Sequence, residues 1–326
     1  MCRLLVISNI LILLVGITIA SAANAEWERA EYTTMGTNIL VEVYHQDAQT
    51  RKQGIEAVIA EMERINSLMS TYIPNSKLSI LNKDAYKQDV MVSQEIFDLL
   101  TISRQVSRLT KGAFDITYES VGYLYSFPEQ VIPTEEQITK KLKAVNYELV
   151  KLNADKLSIR FLHPDVKINL GGIAKGYAVD QSIEILVNLG FEHALVTAGG
   201  DTRLLGDRLG KPWIVGIRDP RNKDKQAVLL PLNNTAMSTS GDYERYFEEG
   251  GVRHHHIISP TTGKSSYGVQ SVSIIGPESV YNDALSTAVF VLGLQEGLGL
   301  INALDSFEAI VMDENRKLHY SNGLTQ

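Results

Sequence analysis

The chain reads as a single compact α+β domain of two packed lobes, and three observations carry that reading. Strand-like and helix-like segments are interspersed without a regular β-α period, so no simple crossover architecture fits. With 44% hydrophobic and 21% charged residues, the 326-residue chain has the balance of a globular protein able to bury a large core. No internal repeat, low-complexity tract or linker divides it. Its formal net charge of −7 comes without a basic stripe, which argues against nucleic acid as a partner.

The first 25 residues stand apart. Arg3 supplies a positive start, residues 4–20 an apolar stretch broken by Ser8 and Asn9, and Ala23-Asn24-Ala25 a small-residue cleavage site before Glu26. The stretch is short for a membrane span. We expect residues 1–25 to be a cleaved secretory signal, leaving residues 26–326 exported, soluble and periplasmic; an uncleaved anchor is the alternative. The sole cysteine, Cys2, lies inside this segment. The mature chain therefore has no thiol for a disulfide, a thiolate metal site or a nucleophile.

Residues 31–44 alternate apolar and polar side chains about Thr33-Thr34-Met35-Gly36-Thr37, which predicts one strand kinked at Gly36. Ile55, Val58, Ile59, Met62 and Ile65 line one face of a helix, ended by Ser70-Thr71-Tyr72-Ile73-Pro74. Tyr72 at that junction suits either packing or stacking on a ligand ring. Ser93 can cap a second helix with Ile96, Leu99, Leu100, Ser103 and Val106 inward, stopping at Lys111-Gly112. Asp115, between Phe114 and Ile116, fits a turn residue or a polar anchor for a ligand equally well. Thr134 and Gln137 form a capping box that opens a helix through Val145. Residues 147–152 and 157–161 read as a hairpin joined by Asn153-Ala154-Asp155-Lys156.

The centre of the chain is Ile168-Asn169-Leu170-Gly171-Gly172-Ile173-Ala174-Lys175-Gly176-Tyr177-Ala178-Val179-Asp180. Residues 166–170 read as a strand, and the two glycines let backbone approach a ligand. Val179, Ile183 and Leu186 then mark a helix that Gly190 can close. Unpaired N–H groups at its start, with Lys175 in the first turn, suit a phosphate. The spacing is neither a Gly-Lys-Ser/Thr loop nor a G-x-G-x-x-G fingerprint, so by itself it fits a structural turn as well as an anion site.

Residues 194–198 form a buried strand ending at Gly199-Gly200-Asp201, another place for close backbone approach. Residues 211–218 and 228–232 read as strands, with Asp219-Pro220 turning the first. Ala236-Met237-Ser238-Thr239-Ser240-Gly241-Asp242-Tyr243 is expected as a polar loop built to hold something. His254, His255 and His256 are neighbours on an extended segment and cannot all converge on one ion. Two of them are expected to be exposed, with His256 tethered near the core by Ile257-Ile258. Residues 269–275 form a strand ended by Gly276-Pro277. The helix that follows, residues 279–292, carries Asp283 and Thr287 one turn apart. They offer two hard oxygens for Mg²⁺, or else an exposed acid and a threonine bonded to its own helix. A short helix at 295–304 and strands at 307–312 and 317–320 close the chain.

Seven motifs now stand in one order: Thr34-Met35-Gly36-Thr37, Gly112-Ala113-Phe114-Asp115, Leu170 to Asp180, Gly199-Gly200-Asp201, Ser240-Gly241-Asp242-Tyr243, His256-Ile257-Ile258 and Asp283-Ala284-Leu285-Ser286-Thr287-Ala288. In that order the chain resembles the FAD:protein FMN transferases, the ApbE family, over residues 31–313. The resemblance implies an ApbE-like domain with mixed sheets and flanking helices. It implies an enzyme that cuts FAD with Mg²⁺ and moves the FMN half onto a Thr or Ser hydroxyl of a target protein, releasing AMP. It further implies FAD contacts from Met35, Tyr72, Ala113, Phe114, Asp115, Asn169, Lys175 and Ile257. Mg²⁺ contacts would come from the main-chain oxygen of Gly172 and the side chains of Asp283 and Thr287. Asp283 would thereby be catalytic, and His256 would be the base on the acceptor hydroxyl. The acceptor would be an exported or membrane-bound redox subunit.

Two positions depart from the family pattern. Asn169 stands where Asp is common, keeping the hydrogen-bonding shape without the charge. Ser259 stands where Asp is common after His-Ile-Ile, removing a carboxylate that could orient His256. Two rivals share the residues: an FAD pyrophosphatase giving FMN and AMP, and a non-catalytic exported flavin-binding protein. The family's association of an aromatic at the Tyr72 position with transfer favours the transferase.

Overall fold

The computed structural model describes residues 26–325; the expected signal segment and Cys2 lie outside them. Strands β1 (Glu26–Thr34) and β2 (Thr37–His45) are a hairpin, not one kinked strand, in register from Glu26↔His45 to Thr34↔Thr37. Met35 and Gly36 both take positive φ, 52° and 69°. That is the two-residue turn whose twist matches paired strands. Side-chain alternation runs on through such a turn, so periodicity alone conceals it.

Helix α1 (Ala48–Met69) starts at Asp47, whose side chain accepts from the Thr50 N–H. It buries Ile55, Val58, Met62 and Ile65 as its period predicts. Helix α2 (Lys77–Asp84), capped by Ser76, is too short for its two buried leucines to register as a period. Strand β3 (Val90–Met91) and helix α3 (Gln94–Leu109) follow, the latter capped by Ser93. Then come α4 (Glu119–Gly122) and α5 (Glu135–Leu142), the latter opened by a complete capping box but ending three residues before Val145. Strands β4 (Val150–Asn153) and β5 (Ser158–Phe161) form the expected hairpin, with β3 added on the far side of β5.

Residues 166–170 are extended but join no sheet. Ile168 exchanges two hydrogen bonds with the Asn82 side chain (2.8 and 2.9 Å), Lys167 donates to Ser120 Oγ (3.0 Å) and Asn169 to the Ile116 carbonyl (2.9 Å). The apolar run reads as a strand because Val166, Ile168 and Leu170 are buried; side chains do the work of a neighbouring strand.

Helix α6 (Ala174–Asn188) leads to β6 (His193–Ala198) and β7 (Asp201–Leu205). Strands β8 (Trp213–Asp219) and β9 (Asn222–Leu232) make a separate ribbon. Strand β10 (Ala236–Gly241) occupies the stretch expected as a loop and lies inside the sheet between β7 and β13. Its residues are small because a helix lies directly on them. The chain ends with the β11 (Tyr246–Glu249) and β12 (Val252–His255) hairpin, β13 (Val269–Gly276), α7 (Ser279–Ile301), β14 (Glu308–Asp313) and β15 (Leu318–Tyr320). Gly293 (φ 74°, ψ −174°) breaks α7, so the two helices expected around Leu292 are two arms of one element.

The main sheet runs β1-β2-β6-β7-β10-β13-β14-β15. Where mixed sheets were expected, every strand pair among the described residues is antiparallel. Along each strand alternate residues face opposite sides. Ile39, Val41, Val43, Val196, Val272, Ile274 and Val311 turn to one core with α1, α6 and α7, whereas Leu204, Met237 and Ile310 turn to another beneath Trp213 of the ribbon. The first core continues without interruption through Leu78, Leu99 and Phe161 of the second lobe, which makes the two lobes one domain. Helix α7 is apolar and long enough to cross a membrane, but here it packs on β10, β13 and α6.

Candidate active site

The site forms where the start of α6 meets α7. A β-carbon at Gly176 would stand 2.2 Å from the Ser279 carbonyl oxygen, so only glycine allows this approach. The Gly176 N–H then donates to Asp283 Oδ2 (3.1 Å). One turn on, Asp180 accepts from the N–H groups of Ser279 (3.0 Å) and Val280 (2.8 Å). It replaces a local cap, since Glu278 makes no capping bond. Burial pushes the Asp180 carboxyl up to about 6, against the pull of those two N–H groups and Arg203.

Lys175, the cation of the first turn, is already paired with carboxylates. Its Nζ lies 2.9 Å from Asp201 Oδ2, 3.2 Å from Asp283 Oδ2 and 3.2 Å from the Gly171 carbonyl. Burial works against its charge, but Asp201 and Asp283 outweigh that and hold the ammonium above the ordinary lysine range. Burial also pushes the Asp283 carboxyl up, as does the charge of Asp201, with Lys175 opposing both. Asp201, only 2% exposed, is a site residue the sequence does not single out beyond its Gly-Gly-Asp turn.

Thr287 does not bond back to its own helix. Its Oγ1 is 3.2 Å from Ser240 Oγ, and a β-carbon on Gly172 would come within 3.2 Å of it. Thr287 thus lies one turn along α7 from Asp283 and against Gly172, while the Lys175 ammonium is held by Asp201, Asp283 and the Gly171 carbonyl. Among the described residues no three His, Cys, Asp or Glu side chains gather as a metal set. A divalent ion here would rest on carboxylate, hydroxyl and carbonyl oxygens, the hard donors that Mg²⁺ prefers. Asp283 and Thr287 stand one turn apart on α7 with Gly172 against Thr287, so the donor types suit such an ion.

Around this centre lie the remaining candidates. Phe114 is buried, with Cε2 3.4 Å from the β-carbon position of Gly172. Ala113 is buried beside it. Asp115 makes the turn bonds: it accepts from Thr117 N (2.8 Å), Thr117 Oγ1 (2.6 Å) and Tyr147 N (2.8 Å). Both carboxylate oxygens are engaged by the chain itself. Asn169 Oδ1 accepts from the Gly171 N–H (2.8 Å) and fixes the entry to the glycine turn.

The histidine run divides differently from the expectation. His255 is fully buried, with Nε2 2.6 Å from the Ser266 carbonyl and Nδ1 accepting from the N–H of buried Ile257 (3.3 Å). His254 and His256 are each half-buried, His254 against Phe247. His256 is the one that feels the charge of Lys175. Burial, then the charges of Arg245, His255 and Lys175, lower it to about 3, so it is a neutral imidazole. Its Nδ1 is buried and has no hydrogen-bond partner among the described residues.

Arg245 ties the rim together, and sequence reading passes over it. Its guanidinium lies against Gly36 at the Met35 turn, 2.7 Å from the β-carbon position, and its charge reaches both His256 and Tyr118. Burial pushes the Tyr118 phenol up, and nearby Glu119 and Tyr72 add to it. Tyr72 itself is 83% exposed, on the turn between α1 and α2. Its apolar ring is offered to solvent.

A model of the ApbE family matches residues 35–311. The FAD:protein FMN transferase of Haemophilus influenzae is 34% identical over 280 residues, which cover 81% of this chain and 80% of that one. Its namesake in Vibrio cholerae is 32% identical over 282 residues, 83% of each chain. Among solved structures, the ApbE protein of Thermotoga maritima superposes with a TM-score of 0.85 at 31% identity, over 92% of this chain and 98% of that one. Fold and relatives define an enzyme of the transferase class. Within that class, the chain belongs to the ApbE family.

Proposed function

We propose that this chain transfers the FMN moiety of FAD, with Mg²⁺, onto a Thr or Ser hydroxyl of an acceptor redox protein and releases AMP. One observation carries the reading. Lys175 and Asp283, 108 residues apart in sequence, meet at 3.2 Å beside Gly172 and Thr287. Phosphoryl transfer is mainly a matter of positioning and charge neutralisation, and this cluster is built from charges and hard oxygens. Asp283, Thr287 and the Gly172 carbonyl would hold Mg²⁺, which when bound neutralises charge on the pyrophosphate. The Lys175 ammonium sits at the same spot and adds a fixed positive charge.

His256 supplies the base. A neutral imidazole with an unpartnered Nδ1 can take the proton of the acceptor hydroxyl as its oxygen bonds to the flavin-side phosphorus. The P–O bond to the AMP side breaks, and the proton leaves through His256 to solvent. The work is proposed to take place outside the cytoplasm, after cleavage at Ala25, on an exported or membrane-bound acceptor.

The test is intact-mass analysis of a candidate acceptor incubated with the protein, FAD and Mg²⁺. An FMN adduct that forms with the wild type and not with Asp283→Ala supports the assignment. AMP released at full rate without acceptor would turn the reading into a pyrophosphatase.

A further inference from the structure

Glu119 opens α4 beside the glycine turn, and nothing above gives it a role. Asn169 Nδ2 donates to its Oε2 (3.1 Å), while Asn169 Oδ1 takes the Gly171 N–H (2.8 Å). One amide therefore links this carboxylate to the residue that begins the phosphate turn. Next to it, the Tyr118 hydroxyl comes within 4.0 Å of the β-carbon position of Gly171. Among the described residues that single amide is the only side-chain hydrogen bond Glu119 makes, and Oε1 takes none. Burial pushes its carboxyl up to about 7, with Asn169 and Lys167 opposing.

A half-engaged carboxylate one residue's breadth from a phosphate turn is placed for a hydroxyl donor. The groups flanking a dinucleotide's pyrophosphate are polyol hydroxyls: ribityl on one side, ribose on the other. We infer that Glu119 accepts a hydroxyl of FAD beside the pyrophosphate, and that Asn169 is the positioning residue that holds it there. The inference rests on the reading that the Gly171–Gly172 turn receives FAD. It also gives Asn169 a reason: an acid at 169 would set two carboxylates against each other, whereas the amide donates to one and accepts from the backbone.

The experiment is titration of FAD, FMN and ADP into the full mature chain, read by flavin fluorescence or calorimetry. Glu119→Ala should weaken FAD about 10- to 100-fold, the loss of one hydrogen bond to a charged group. If the hydroxyl is ribityl, FMN weakens alongside FAD and ADP does not; if it is ribose, the pattern reverses. Asn169→Asp should weaken FAD by a similar factor, and Glu119→Gln combined with Asn169→Asp should bring affinity back to within about threefold of wild type. Should Glu119→Ala fail to fold, Glu119→Gln alone carries the test through the same loss of FAD affinity. FAD affinity unchanged in a folded Glu119 variant overturns the assignment, and a double variant no better than Asn169→Asp overturns the positioning role. Affinity is read without acceptor, so a wild type that binds FAD yet makes no adduct breaks the function reading and leaves this one standing.

Discussion

The α6–α7 contact and Tyr72 are built on opposite terms. Asp283 is 3% exposed and bonded to Gly176 and Lys175, whereas Tyr72 is 83% exposed. The charge-handling half is preorganised, its oxygens fixed by helix packing before any ligand arrives. The Tyr72 half is left open, so any order it gains on binding costs affinity rather than rate. Variants of the first should therefore alter turnover, and variants of the second should alter binding.

Five measurements press on that contrast. Asp283→Ala should lower FMN transfer about 1,000-fold or more while circular dichroism stays native, because a preorganised charge is lost. Substantial residual transfer would break the comparison at its centre. His256→Gln should cut kcat about 100-fold and leave FAD affinity unchanged, as expected for a base that acts only on the acceptor. A β-carbon at Gly176 must push α6 off α7, so Gly176→Ala should cost about 1–3 kcal/mol in urea unfolding and raise the Mg²⁺ requirement. Tyr72→Ala should weaken FAD about tenfold at most through lost stacking, with the thermal midpoint unmoved. The smallest effect is on pH. His255 and His256 are lowered from 6.5 by burial, His256 to about 3, so the unfolded chain binds their protons more readily. Stability present above about 6.5 is then lost as pH falls towards 3, and His256→Gln should flatten that decline in urea midpoints.

Much of the fold is legible in the sequence where local chemistry decides it. The Ser93 cap, the Thr134 capping box and the Gly293 break each announce themselves within four residues. What misleads is structure set by distant partners. Residues 166–170 look like a strand because they are buried, although Asn82 and Ser120 supply their hydrogen bonds. Ala236 to Gly241 looks like a loop because its residues are small, although smallness is what lets α7 lie on it: Ser240 meets Ser286 at 2.8 Å. The site follows the same rule. Lys175, Asp283 and Thr287 are visible as motif residues, but Asp201 and Arg245 gain their meaning only when strands and turns far apart in sequence are brought together.

Asp180 carries one more consequence. The first N–H groups of α7 are satisfied by a side chain 99 and 100 residues earlier, and no local group does that job. Nucleating this helix end must await long-range loop closure, which makes it a late, high-contact-order event in folding. A partly folded chain would hold neither its cation oxygens nor its nucleotide turn in place, so competence should appear in one cooperative step with the native state.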